Sequence, residues 1–225
     1  MAWDHGTRPD GTDSCARLVA PKSHWPEMRA LIMVVSAEKK GVSSTTGMQE
    51  TVKTSSLFRT RAEMVVPTRM AEMEAAIGKR DFETFARVTM RESNSFHATC
   101  LDTDPPIFYL NDVSRAAIRA VEAINLLAGM VVAAYTFDAG PNAVVYYLEK
   151  DWDFVGAKLA NCLHGKEGWR DIGTATEGRG LGEEYAQVEE ALRTNVSRII
   201  LTSVGEGPIS VQEHLIDEQG KPVDA

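Results

Sequence analysis

Two apolar runs on either side of one six-residue interruption limit the fold of this chain more than any other feature. Val131–Phe137 and Val144–Leu148 are built of valine, alanine and aromatic residues with one threonine and one leucine, and Asp138-Ala139-Gly140-Pro141-Asn142-Ala143 lies between them. Apolar runs of strand length around a Gly/Pro/Asn cluster predict a β-hairpin with a longer loop. A third run, starting at Met28, is continuously apolar after Arg29 and stops at Ser36. Its length and β-branched content predict a strand buried on both faces. A fourth, Arg198–Val204, predicts the last strand.

The stretches between these runs have helical periodicity. Val66, Met70, Met73 and Ile77 recur at helix spacing, and Gly78 sits where a helix would stop. Phe82, Phe85 and Val88 mark a second helix after Lys79-Arg80-Asp81, and Pro105-Pro106 breaks the pattern. Leu110, Val113, Ala117, Val121 and Ile124 give a third helix, capped by Asn111 or Asp112 and closed by Gly129. Further helices are expected near Met48, over 151–163 and over 183–194. The fold class expected is α+β, a small, mostly antiparallel sheet covered by helices on one face. Residues 1–26 are polar and turn-rich, without periodicity, and read as an N-terminal arm; residues 27–225 read as one compact domain.

The length of 225 residues allows one or two domains. With 24 basic and 32 acidic residues the formal charge is −8, which disfavours general nucleic-acid binding. Cys15, Cys100 and Cys162 are odd in number and far apart, so neither a disulfide framework nor a zinc site is expected. A reducing, cytoplasmic compartment fits that usage. No run reaches the length needed to cross a bilayer, and Met1–Gly6 lacks the apolar segment of a signal peptide.

Four places have residues suited to chemistry. Asp138 ends a predicted strand, where a carboxylate is held rigidly enough to orient or deprotonate a hydroxyl, and Gly140 permits close approach of the backbone. The same residues also serve as ordinary turn chemistry. Lys39 to Met48 sets Ser43, Ser44, Thr45 and Thr46 before a helix N-terminus, an arrangement that suits phosphate or a simple N-cap. His97 lies between apolar residues and reads first as a packing histidine. Gly173–Gly182 is glycine-rich but lacks the ending of a phosphate loop, and reads as a flexible connection.

Taken together, several segments resemble one family. They are Trp25-Pro26-Glu27-Met28-Arg29, Val34-Val35-Ser36-Ala37-Glu38-Lys39-Lys40 and Ser44-Thr45-Thr46-Gly47-Met48. Val65-Val66-Pro67, Ser93-Asn94 and Phe96-His97-Ala98-Thr99-Cys100-Leu101 follow, and then Tyr135 to Ala143. On these motifs the chain resembles the C-terminal half of the mevalonate diphosphate decarboxylase family, within the GHMP kinase superfamily.

The resemblance implies a ferredoxin-like C-terminal domain. It also implies an ATP- and magnesium-dependent enzyme that phosphorylates the tertiary hydroxyl of mevalonate 5-diphosphate and releases phosphate and carbon dioxide to leave isopentenyl diphosphate. The family's catalytic aspartate falls on Asp138, its phosphoryl-contacting serine on Ser44 and its pocket methionine on Met48. Gly140 joins them as a substrate-side residue. The family's ATP-binding stretch has no counterpart in this chain, which is therefore expected to be a fragment, inactive alone, with the nucleotide and metal sites in a missing N-terminal half. The full-length enzyme is expected to be a cytoplasmic homodimer that binds neither nucleic acid nor membrane. Two other readings stand beside this one: a non-catalytic GHMP-like domain acting as a binding or dimerisation module, and a superfamily kinase that transfers phosphate without decarboxylation.

Overall fold

The computed structural model describes residues 1–35, 43–170 and 178–207, with the single positions 210, 212, 215, 216, 221 and 222. Its centre is a four-stranded antiparallel sheet. β3 (Met28–Val35), β4 (Ala133–Thr136), β5 (Ala143–Leu148) and β6 (Val196–Ser203) lie in the order β4-β5-β3-β6. The predicted hairpin is present, with Ala133 opposite Tyr147 and Thr136 opposite Val144. β3 is central and pairs with β5 from Met28–Leu148 to Met33–Ala143.

Alternation along the strands sorts their side chains onto two faces. Leu31, Met33, Val35, Val145, Tyr147 and Tyr135 join the main core, which is completed by α5 (Asp112–Ala128), α6 (Trp152–Leu163) and α7 (Ala186–Asn195). Met28, Ala134, Tyr146 and Leu148 belong to a second, smaller cluster with Trp25, Phe82, Phe85 and Ala86. Phe82 opens α4 (Phe82–Leu101), so helices cover both faces rather than one. The sequence hides this because residues on both faces of these strands are apolar and read as one continuous apolar run.

The remaining helices sit beside the sheet. α1 (Ser44–Thr54), α2 (Ser56–Thr60), a π-helical stretch over Arg61–Val65 and α3 (Val66–Lys79) follow one another almost without interruption. α1 begins at Ser44, one turn before Met48, because the Ser43 Oγ accepts the Thr46 N–H at 3.1 Å. α3 does not stop at Gly78. It runs to Lys79, and Arg80 takes the left-handed conformation at φ 55°, with its N–H turned back to the Ala76 and Ile77 carbonyls. α5 is bounded as expected, by an Asn111–Ser114 capping box and by Gly129 at φ 67°.

The arm differs most from expectation. β1 (Ala2–Asp4) and β2 (Cys15–Arg17) pair antiparallel, Trp3 opposite Ala16. The turn between them is organised by Asp13, whose carboxylate accepts the N–H groups of Thr7 and Arg8. Arg17 then ties the hairpin to α3 through Glu74. Strands of three residues are too short to leave an alternating pattern in the sequence, so the arm reads there as irregular. No helix among the described residues is long and apolar enough to cross a membrane.

Candidate active site

The loop from Asp138 to Asn142 is firmly anchored for an irregular segment. The Thr136–Val144 pair closes the strand ladder, so the groups beyond it need other partners. The Phe137 N–H goes to the Ser93 Oγ at 3.2 Å. The Gly140 N–H turns back to the Asp138 carbonyl at 2.8 Å. The Pro141 carbonyl accepts the Ser114 hydroxyl at 3.2 Å, and the Asn142 Oδ1 accepts the Val35 N–H at 3.0 Å. Ser93 and Ser114 are buried. α5 and β3 therefore fix the loop, and α4 fixes Phe137, the residue that leads into it.

Within that frame Asp138 is exposed while Gly140 is buried. The carboxylate stands at the surface on a backbone that cannot easily move, the disposition a reacting carboxylate needs to meet a substrate. Behind it lies His97, whose ring meets Phe96 at 5.0 Å, Phe137 at 6.3 Å and Tyr109 at 6.5 Å, each edge-on. Burial lowers the pKa of His97, against smaller opposing effects from a hydrogen bond to the Phe137 backbone and from the Asp138 charge. The ring is therefore neutral at pH 7.

The Ser44 turn meets the Asp138 loop through Tyr109. Its hydroxyl donates to the Ser43 carbonyl at 3.3 Å and lies against the Gly47 backbone. Cys100, Ile107 and Tyr109 form a small buried cluster, on which both Met48 and Ala139 pack. The two loops singled out in the sequence thus share one apolar support. Ser44, Thr45 and Thr46 are exposed around the α1 N-terminus, whose free N–H groups and dipole favour an anion. Lys39 and Lys40 lie outside the described residues.

Met48 also lines a cavity of about 600 Å3 under the arm. Its lining also includes Trp3, Gly6, Phe58, Arg61, Phe96 and Cys100. Arg61 and Arg69 share the Glu92 carboxylate and hold the π-helical stretch against α4. Of the glycine-rich run Gly173–Gly182, residues 173–177 lie outside the described residues. Its end is anchored, with Leu181 in the main core and its N–H donated to Glu189 at 2.7 Å.

Sequence reasoning finds Asp138, Ser44, Met48 and Gly140 but assigns no role to Ser93, Ser114 or Tyr109. The i, i+4 spacing of Ser93 and His97 on a predicted helix is the available signal for the first. The other two are legible only once the chain is folded.

Known proteins resemble the chain closely. Residues 30–211 match the family model for the mevalonate 5-diphosphate decarboxylase C-terminal domain. The chain is 58% identical over 227 residues to diphosphomevalonate decarboxylase mvd1 of Aspergillus fumigatus, covering 98% of this chain and 56% of that protein. A crystal structure of mevalonate 5-diphosphate decarboxylase superposes with a TM-score of 0.82 at 46% identity, covering 97% of this chain and 58% of the other. Another structure, described as MDDEF in complex with MVAPP, AMPPCP and magnesium, gives a TM-score of 0.65 at 25% identity, over 72% of this chain and 48% of the other. The chain spans about half the length of the curated relatives it matches.

Proposed function

The chain belongs to the mevalonate 5-diphosphate decarboxylase family by its C-terminal domain, and on that basis we propose that it forms the substrate-side domain of an ATP-dependent mevalonate 5-diphosphate decarboxylase. The products are isopentenyl diphosphate, ADP, phosphate and carbon dioxide. The observation that carries this reading is the exposed Asp138 on a loop held by Ser93, Ser114 and Asn142. In this reading Asp138 orients the tertiary hydroxyl of the substrate and accepts its proton as the oxygen attacks the terminal phosphoryl group. Once that oxygen carries phosphate it leaves readily, positive charge develops on the tertiary carbon, and carbon dioxide departs. The Asp138 carboxylate then stabilises that charge.

Ser44 and the α1 N-terminus take the substrate's phosphoryl oxygens, and Met48 forms the wall beside its carbon chain. Gly140 allows the loop to lie close to the substrate. Residues 1–26 act as an arm that joins the domain 27–225 to the rest of the enzyme. ATP and magnesium are the cofactors, supported by the relative held with AMPPCP and magnesium. Among the described residues no three His, Cys, Asp or Glu side chains gather to hold a metal ion. The reading assigns the nucleotide and metal sites to the N-terminal half of the enzyme. Asp138, Ser44, Met48 and Gly140 act on the substrate alone. A cytoplasmic homodimer is the proposed assembly.

The test uses the domain joined to the N-terminal part of the Aspergillus fumigatus relative. Mevalonate 5-diphosphate and ATP are expected to give carbon dioxide and ADP in equal amounts. Asp138→Asn is expected to lower kcat by roughly 100- to 10,000-fold. ADP without carbon dioxide would identify a kinase, and turnover unchanged in Asp138→Asn would remove the assigned carboxylate.

A further inference from the structure

The substrate proposed above carries its tertiary hydroxyl and its diphosphate on one short carbon chain. An enzyme that acts on the first while holding the second must fix the spacing between the two elements that meet them, Asp138 and the Ser44 turn. Tyr109 reaches both. It belongs to the link from α4 to α5, and that link is pinned before and after it. The Ile107 N–H donates to the Cys100 carbonyl at 3.1 Å, and the Asn111 N–H donates to the Ser114 Oγ at 3.2 Å. The Ser114 hydroxyl in turn donates to the Pro141 carbonyl of the Asp138 loop at 3.2 Å. Tyr109 is buried with Cys100 and Ile107, and Ala139, the residue after Asp138, packs on that cluster. The Tyr109 hydroxyl donates to the carbonyl of Ser43, the residue before Ser44, at 3.3 Å. Gly47 in the first turn of α1 makes room for it, since a Cβ there would fall on the Tyr109 oxygen. Glycine is a poor helix former, and here its missing side chain is what admits the hydroxyl.

We propose that Tyr109 is a positioning residue that sets the Asp138 carboxylate and the phosphoryl-binding Ser44 turn at the separation one substrate molecule requires. The inference deepens the function proposed above and rests on those two elements meeting opposite parts of the same substrate. The hydroxyl acts through the Ser43 carbonyl on the turn, and the ring acts through Ala139 on the loop. An aromatic ring has few torsions to lose, so a buried one holds a spacing at little entropic cost. The two halves of the side chain have separable kinetic effects. Phosphoryl contacts are made alike in the ground and transition states, so loosening the turn raises KM. The Asp138 carboxylate acts in the transition state, and small displacements of such a group are costly to rate.

Steady-state kinetics of the full-length enzyme, assembled as above, test this. Tyr109→Phe keeps the ring and removes the hydroxyl. It is expected to raise the KM for mevalonate 5-diphosphate roughly 3- to 10-fold and to leave kcat within about twofold. Tyr109→Leu also removes the ring from the cluster on which Ala139 packs, and is expected to add a roughly 10- to 100-fold loss of kcat. The KM for ATP should stay within about twofold in both, since the reading places ATP on the other half. Phenylalanine is nearly isosteric with tyrosine, so Tyr109→Phe decides the matter if Tyr109→Leu does not fold. A hydroxyl with a structural role alone would lower the melting temperature of Tyr109→Phe and leave its KM at the parent value, and that result overturns the proposal. So does a folded Tyr109→Leu whose kcat equals that of Tyr109→Phe. Ser44→Ala and Asp138→Asn are measured beside them. If the first raises KM and the second lowers kcat while the Tyr109 variants do neither, only the positioning role falls; if both turn over like the parent, the function itself falls.

Discussion

The side chain of Asn142 accepts the backbone N–H of Val35 at 3.0 Å and joins segments 107 residues apart. The register of β3 against β5 ends at Met33–Ala143. Continued by two residues it would bring Val35 opposite Pro141, whose carbonyl is already given to Ser114. Asn142 supplies the missing acceptor and extends the ladder by one side-chain rung. Val35 is buried, so removing that acceptor strands an amide away from water. Asn142→Ala is expected to cost about 1–3 kcal/mol. Urea denaturation measures it, and a loss below about 0.5 kcal/mol would mean that water replaces the amide.

Gly47 illustrates a second constraint. A methyl group at this position would fall well inside contact distance of the Tyr109 hydroxyl and close to Ile107. Tyr109 is buried and cannot swing away without leaving the cluster that also supports Met48 and Ala139. Gly47→Ala is therefore expected to destabilise the domain by about 1–3 kcal/mol, although alanine is the better helix former. It should also break the Tyr109–Ser43 hydrogen bond and loosen the start of α1. Thermal melting checks the first effect, and amide hydrogen exchange at Thr46 and Gly47 checks the second.

These two positions show where sequence reading succeeds and where it stops. The hairpin, the central strand and the capping of α5 follow from local patterns, because apolar runs, turn residues and caps act over a few residues. The Asp138 loop and the Ser44 turn are legible for the same reason. Their convergence on Tyr109 is not, since it depends on residues far apart in the chain. The arm's strands are too short to show a period, and the end of α3 depends on Arg80 accepting a conformation that glycine usually supplies. Ser114 reads as an ordinary polar residue in a helix's first turn, and only the fold turns its hydroxyl toward Pro141.

Arg61 and Arg69 are 17% and 18% exposed at their side chains and share one carboxylate, that of Glu92. Two cations this far from water are stable together only while the anion lies between them. Glu92→Gln keeps the shape and removes the charge. It is expected to cost about 1–3 kcal/mol, between the values for exposed and fully buried pairs. In a domain of this size that lowers Tm by roughly 2–4 °C per kcal/mol. Adding Arg61→Met to Glu92→Gln should return part of the loss, because one stranded cation is removed with it. Equal melting of Glu92→Gln and the parent would show that solvent already satisfies both arginines.

The histidine behind Asp138 gives the domain a pH dependence of definite sign. Burial lowers the pKa of His97 below its unfolded value of about 6.5, while the Phe137 hydrogen bond and the Asp138 charge oppose that effect without reversing it. Between the lowered folded value and 6.5 the unfolded chain binds more protons than the folded one, so stability rises with pH across that interval. Its contribution is complete above about pH 6.5 and is lost as the pH falls toward the folded pKa. The groups facing the ring are Asp138, Tyr109, Phe96 and Phe137. His97→Asn has no proton to gain and should flatten this part of the curve. Urea midpoints at about pH 7.5 and 5.5, on either side of the unfolded value, isolate the effect for the parent and His97→Asn, since every other titrating group is common to both. Parallel curves for the two proteins would show that His97 titrates alike folded and unfolded.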